Sequence, residues 1–166
     1  MATVDNLKEA FAGESQANRK YLAFSKKADA DGHPQIAKLF RAAAAAETVH
    51  AHAHFRVLKG VGSTADNLQA AIDGEGAEFK EMYPKFLAQA ESEGDQGAIA
   101  SFKNALAVEE IHHRLYSEAL KGLQDSADLP TQKVFVCGIC GNTVYGDAPD
   151  TCPVCGAKKG KFFEVE

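Results

Sequence analysis

The sequence predicts a mainly α protein: a four-helix bundle followed by a small β-and-loop domain organised by cysteine. Three observations predict it. Apolar residues recur with a 3.6-residue period up to about Gly122, against a background rich in Ala, Leu, Glu and Lys. The first half of that helical stretch is repeated by the second at an offset of 61 or 62 positions. Beyond Pro130 the texture changes to β-branched and aromatic residues, Gly, Pro and Cys, and all four cysteines lie between Cys137 and Cys155.

The elements follow in order. Breaks at Asp31-Gly32-His33-Pro34, Gly60-Val61-Gly62-Ser63-Thr64 and Glu93-Gly94-Asp95 divide the helical part into stretches of about 4–30, 34–59, 66–92 and 96–122. Pro84 falls inside the third and is expected to kink it. The run Gln124-Asp125-Ser126-Ala127-Asp128-Leu129-Pro130 then marks a boundary between residues 1–130 and 131–166. A chain of 166 residues holds one good-sized core and an appendage, but not two full domains. A net charge of −5 argues against nucleic acid or an anionic membrane as the main partner. The N-terminal MATVDNLKEAFAGES has early acids and no long apolar run, so neither a secretory signal nor a membrane span is expected. Clustered cysteines suit metal binding in a reducing cytoplasm better than a disulfide framework.

The duplication sets Gly13-Glu14 on Gly74-Glu75, Tyr21 on Tyr83, Gly32 on Gly94, Phe40 on Phe102, Glu47 on Glu109 and His50 on His112. Two hairpins related by an approximate two-fold axis would offer matching ligands to a site on that axis. On a helical wheel Ile36, Phe40, His54 and Leu58 fall within about 20° of Glu47, with His50 about 60° to one side. Phe102 and Tyr116 bear the same relation to Glu109, and His112 the same as His50. Leu7, Tyr21 and Ser25 share the face of Glu14, while the third helix offers Glu75-x-x-Glu78.

Five carboxylates aimed at one core are intolerable unaided, since each uncompensated buried charge costs several kcal/mol. Two divalent cations make the arrangement reasonable, and oxygen-rich ligands with one imidazole per metal suit iron or manganese better than zinc or copper. Two competing readings are weaker. Solvated surface residues would not sit on the apolar stripe, and the alternative pair Glu110 and His113 lies about 100° off it and breaks the repeat. His54 reads as core packing or as a support to a ligand, His33 and His52 as loop and surface, and Glu81, Glu91 and Glu93 as solvated.

Cys137-Gly-Ile-Cys140-Gly and Cys152-Pro-Val-Cys155-Gly are matched knuckles. Each lets two sulfurs reach one metal, and the Gly after each pair allows the turn that aims backbone N–H groups at sulfur. Four thiolates hold iron or a structural zinc equally well; beside a two-iron domain that needs electrons, iron is favoured, because zinc has no second oxidation state.

Phe11-Ala-Gly-Glu14-Ser-Gln-Ala, Ala46-Glu47-Thr-Val-His50-Ala, Gly74-Glu75-Gly-Ala-Glu78 with Glu81-Met-Tyr-Pro84, and the paired knuckles resemble the rubrerythrin family along essentially the whole chain. The resemblance implies a ferritin-like bundle with a C-terminal rubredoxin-like domain. It implies iron ligands Glu14, Glu47, Glu75, Glu78, Glu109 and His112, with His50 exchanging with Glu78 at one iron on reduction. Cys137, Cys140, Cys152 and Cys155 would hold a third iron, with zinc as a substitute. Tyr21 and Tyr83 match tyrosines that hydrogen-bond to ligating carboxylates. The implied activity is a peroxidase reducing hydrogen peroxide to water, fed from NAD(P)H through a separate reductase or rubredoxin. A ferroxidase or iron-handling protein, and a zinc-ribbon adaptor without chemistry, are the rival expectations.

One departure stands out. In the family the second and third helices run parallel, so the chain must travel back along a helix of about 38 Å, whereas six residues from Gly60 to Ala65 span at most about 21 Å. Either the third helix begins later, or the hairpin pairs with that of another chain. The expectation is a homodimer with swapped hairpins, as among short-linker relatives, each site combining Glu14, Glu47 and His50 of one chain with Glu75, Glu78, Glu109 and His112 of the partner subunit.

Overall fold

The computed structural model describes residues 2–125 and 128–166, so Ser126 and Ala127 of the boundary run lie outside the described residues. The chain forms two compact units, Met1–Gly62 and Ser63–Glu166.

The first unit is a hairpin of α1 (Thr3–Ala30) and α2 (Pro34–Val57). It turns at Gly32, whose φ of +79° an L side chain rarely adopts, and Pro34 opens α2 where a missing N–H costs nothing. Ala37, Ala44 and Ala51 are buried at seven-residue spacing, a seam of small side chains that lets the helices approach closely. Asn18 reaches across it, its Nδ2 donating to the Ala44 carbonyl at 2.7 Å and to Thr48 Oγ1 at 2.8 Å. Phe11 stacks on Phe55 at 4.9 Å, and Arg41 pairs with Asp29 at 2.7 Å near the turn.

The second unit begins with α3 (Thr64–Ala77), capped by Ser63 and Asp66, each binding the other's backbone N–H. The third helix therefore starts at Thr64, slightly before the expected 66, and the connection from α2 is short. The interruption expected at Pro84 takes the form of a π-turn, Glu78–Met82, before α4 (Tyr83–Glu93). Pro84 has no N–H for the carbonyl four residues back, and the register slips so that the Tyr83 N–H donates to Glu78 five residues back. A π-turn inserts one residue into a helix, and it falls where the repeat offset changes from 61 at Glu14/Glu75 to 62 at Tyr21/Tyr83. Gly94, at φ +74°, ends α4, and Asp95 caps α5 (Gln96–Gln124) by accepting from the Ala98 N–H. Val108, Leu115 and Ala90 are buried, and Tyr83, Phe86 and Phe102 form an aromatic cluster.

Behind α5 lies a three-stranded antiparallel sheet of order β2-β1-β3, formed by β1 (Val134–Cys137), β2 (Thr143–Tyr145) and β3 (Phe162–Glu164). Val136 pairs with Thr143 on one side and Phe163 on the other, and a 3₁₀ turn at Lys159–Lys161 leads into β3. The predicted class, mainly α with a small β-and-loop domain, is the one observed. No helix among the described residues is long and apolar enough to cross a membrane.

Candidate metal centres

The helical hairpins carry two clusters of the same design. In the first unit Glu14, Glu47 and His50 offer ligand atoms all within 4.8 Å of one another; in the second Glu75, Glu109 and His112 do the same. The likeness extends to individual distances. His50 Nδ1 lies 2.9 Å from Glu47 Oε2 and 3.8 Å from Glu14 Oε1, and His112 Nδ1 lies 2.9 Å from Glu109 Oε2 and 3.9 Å from Glu75 Oε1. Each Glu-x-x-His sits on one turn of helix, and the third carboxylate comes from the neighbouring helix of the same hairpin. The side chains of the two clusters are half-buried, apart from an exposed His50.

These donors fit a cation. Glu75 has its carboxyl pushed up to about 7, first by desolvation, then by a hydrogen bond to Glu109 and the charges of Glu109 and Glu78. Glu78 is raised by desolvation and by Glu109, although it stands outside the tight cluster. Without a positive ion the carboxylates hold a proton instead, and a metal would displace it. The sign is definite. The unfolded chain ionises Glu75 near the usual 4.5, so the metal-free state loses stability as pH rises from there through about 7. Divalent metal binding to the bundle is therefore expected to release more protons per chain at pH 6 than at pH 8. Calorimetry with Mn(II) in two buffers of different ionisation enthalpy measures the difference.

Tyr83 is raised by desolvation and by the charges of Glu78, Glu109 and Glu75, which puts its hydroxyl in the field of the second cluster. Tyr21 contacts Phe24 and Phe40. Tyr116 was given no role by sequence, yet it is raised by desolvation and by Glu75 and Glu109, and its ring centre lies 6.5 Å from that of His112. Its place on the Glu109 stripe was the available signal. Glu110 is exposed and His113 packs edge-on to Phe79, which leaves the repeat register as the one that forms a cluster.

In the C-terminal domain Cys137, Cys140, Cys152 and Cys155 converge, with Cys137–Cys155 sulfurs 3.7 Å apart and Cys140–Cys152 sulfurs 3.6 Å apart. A tetrahedral ion with metal–sulfur bonds of about 2.3 Å has sulfur–sulfur edges of about 3.8 Å, so the spacing fits. The knuckles close as their sequence implied: the Gly141 N–H donates to the Cys137 carbonyl at 2.8 Å and the Gly156 N–H to that of Cys152 at 2.9 Å, both glycines at positive φ. Burial raises the Cys152 thiol, but N–H groups of Cys155 and Val154 and the thiols of Cys140 and Cys155 outweigh it and bring it down to about 7. Asn142 Nδ2 adds a donor 3.7 Å from the same sulfur.

The family model described as Rubrerythrin matches residues 5–120, and that described as Rubrerythrin, rubredoxin-like domain matches residues 135–163. Rubrerythrin-2 of Clostridium acetobutylicum is 37% identical over 174 residues, covering 96% of this chain and 95% of that protein. A rubrerythrin of Porphyromonas gingivalis is 35% identical, covering 96% of this chain and 88% of its own. Among solved structures, the fully reduced, all-ferrous state of nigerythrin is similar with a TM-score of 0.58 and 34% identity over 99% of this chain and 87% of that one.

Proposed function

Given that this chain belongs to the rubrerythrin family, we propose that it is a cytoplasmic peroxidase that reduces hydrogen peroxide to water at a two-iron centre. The observation that carries this is the pair of matching Glu, Glu, His clusters beside a four-cysteine site in one chain. On this reading residues 1–130 form the ferritin-like domain and 131–166 the rubredoxin-like domain. Glu14, Glu47, Glu75, Glu78, Glu109 and His112 would hold the bundle irons, and Cys137, Cys140, Cys152 and Cys155 the third. An external NAD(P)H-dependent reductase or rubredoxin supplies electrons.

Reduction of one peroxide to two waters consumes two electrons and two protons, and a pair of ferrous ions held by these residues would supply the electrons. The chain's own residues do the rest. The carboxylates would cancel cationic charge in a half-buried setting, and Tyr83, whose hydroxyl lies in the field of Glu78, Glu109 and Glu75, would orient them together with its repeat partner Tyr21. His50 is the movable group. Its side chain is 55% exposed against 25% for His112, and among the described residues no hydrogen bond reaches its Nε2. On this reading His50 would exchange with Glu78 when the iron charge changes, neutral imidazole suiting the lower charge and carboxylate the higher.

The swapped homodimer is part of the proposal. The late start that would have lengthened the connection is gone, since α3 begins at Thr64. A 24-residue α2 is about 36 Å long, and the seven steps from Val57 to Thr64 reach at most about 25 Å. Each compact unit carries half of the donor set. Phe24, Ile36 and Leu39 are 47%, 51% and 68% exposed on the first hairpin, apolar surface that a second hairpin would cover.

The activity is tested by mixing the anaerobically reduced, iron-loaded chain with peroxide in stopped flow. Oxidation of the bundle irons within seconds supports it, and ferrous sites that persist over that time defeat it. Net uptake of Fe(II) into a shell-forming oligomer would instead favour the ferroxidase reading.

A further inference from the structure

We propose that Thr143, the first residue of β2 in the cysteine domain, is a positioning residue for His112. The inference rests on His112 being a metal ligand, as argued above, and adds what holds it in place. His112 Nε2 lies 2.9 Å from Thr143 Oγ1, and Thr143 Oγ1 lies 3.1 Å from the Gly141 carbonyl.

A hydroxyl has one hydrogen, and a carbonyl can only accept. The arrangement that satisfies all three groups has Thr143 donating to Gly141 and accepting from the His112 Nε2–H. In the neutral ring that leaves Nδ1 as the nitrogen with the free lone pair, facing Glu109 Oε2 at 2.9 Å and Glu75 Oε1 at 3.9 Å. Two lone pairs so close repel unless a cation lies between them, so the hydroxyl selects the tautomer that binds a metal at Nδ1.

The backbone around Thr143 makes this placement firm. Gly141 follows Cys140 at φ +87°, and a Cβ built on it would lie 3.6 Å from Val108 Cγ1, one helical turn before His112 on α5. The knuckle thus rests on the helix that carries the ligand. Thr143 is paired with Val136 in the sheet, and its β-branched side chain has few rotamers. Three consecutive residues divide the labour: Gly141 makes the turn, Asn142 donates to the Cys152 sulfur, and Thr143 holds His112. The repeat partner His50 has no such anchor at Nε2 among the described residues. The duplication gave two equivalent imidazoles, and the appended domain immobilises one of them.

The test uses the full chain with Thr143→Val and Thr143→Ser, titrating Fe(II) anaerobically into the bundle site against a coloured chelator. Loss of a group that orients a ligating His weakens metal binding by about 10- to 100-fold. Thr143→Val is expected to show that loss with the visible spectrum of the cysteine-bound iron unchanged, and Thr143→Ser to retain wild-type affinity within about threefold. Wild-type affinity in Thr143→Val overturns the proposal. So does equal weakening in both variants together with an altered cysteine-iron spectrum, which marks a packing role. A wild-type chain that binds iron only at the cysteines overturns the ligand reading itself, an outcome separable from the others because it appears before any substitution is made.

Discussion

Coexpressed in equal amounts, a Glu47→Ala chain and a Glu109→Ala chain will regain about a quarter of the wild-type two-iron centres, although either variant alone holds almost none. Each substitution removes the carboxylate that sits 2.9 Å from the histidine of its own cluster, and so disables one hairpin only. In a swapped dimer every centre draws one hairpin from each chain. A mixed dimer then contains one centre in which both hairpins are damaged and one in which both are intact. Random pairing makes half the dimers mixed, and half of their centres are whole. If each centre is built from a single chain, every centre in the mixture carries one damaged hairpin and nothing is regained. Iron analysis of the mixture, corrected for the cysteine-bound iron, reads the outcome directly. Zero recovery, with both variants folded and dimeric, removes the swap and leaves the peroxidase proposal standing.

The second large effect separates electron supply from peroxide chemistry. Replacing Cys152 by Ser is expected to lower NAD(P)H-driven turnover by about 100-fold or more, because one of four thiolates is lost and the tetrahedral site opens. Cys152 is the instructive choice: it is buried, its thiol is brought down to about 7, and it accepts from Asn142. The same variant, reduced chemically beforehand, should oxidise its bundle irons with peroxide in a single turnover at the wild-type rate within about threefold. Steady-state and single-turnover stopped flow on one preparation give both numbers. Equal loss in both would mean that the cysteine domain shapes the bundle centre and does more than feed it.

Most of the helical half was legible because its signals are local. The apolar period and the glycine and proline at the turns act within a few residues, and helix limits fell within two positions of those expected. The clusters were legible through the duplication, which distinguished Glu109 and His112 from the equally spaced Glu110 and His113. What escaped was non-local. Thr143 lies 31 residues from His112 in a different kind of structure, and no spacing rule connects a strand residue to a helix imidazole. The close approach of Gly141 to Val108, which sets the cysteine domain against α5 within one compact unit, is likewise a contact that no local signal near Pro130 announces. Pro84 was read as a kink, and the better clue was arithmetical: an offset that moves from 61 to 62 requires one extra residue, which a helix absorbs as a π-turn.

That extra residue has a consequence for how the two metals can differ. A faithful copy of the first hairpin would have yielded interchangeable positions. Under either offset, however, Glu78 answers to Ala17 or Gln16, neither of them acidic. The copy with the widened turn thus brings three carboxylates where its sibling brings two, and its imidazole is held at Nε2, where among the described residues the other has no hydrogen bond. On the proposed reading a centre assembled from such halves would be polar from the outset: its metals would meet unequal negative charge, fill in a preferred order, and give up electrons at distinct potentials.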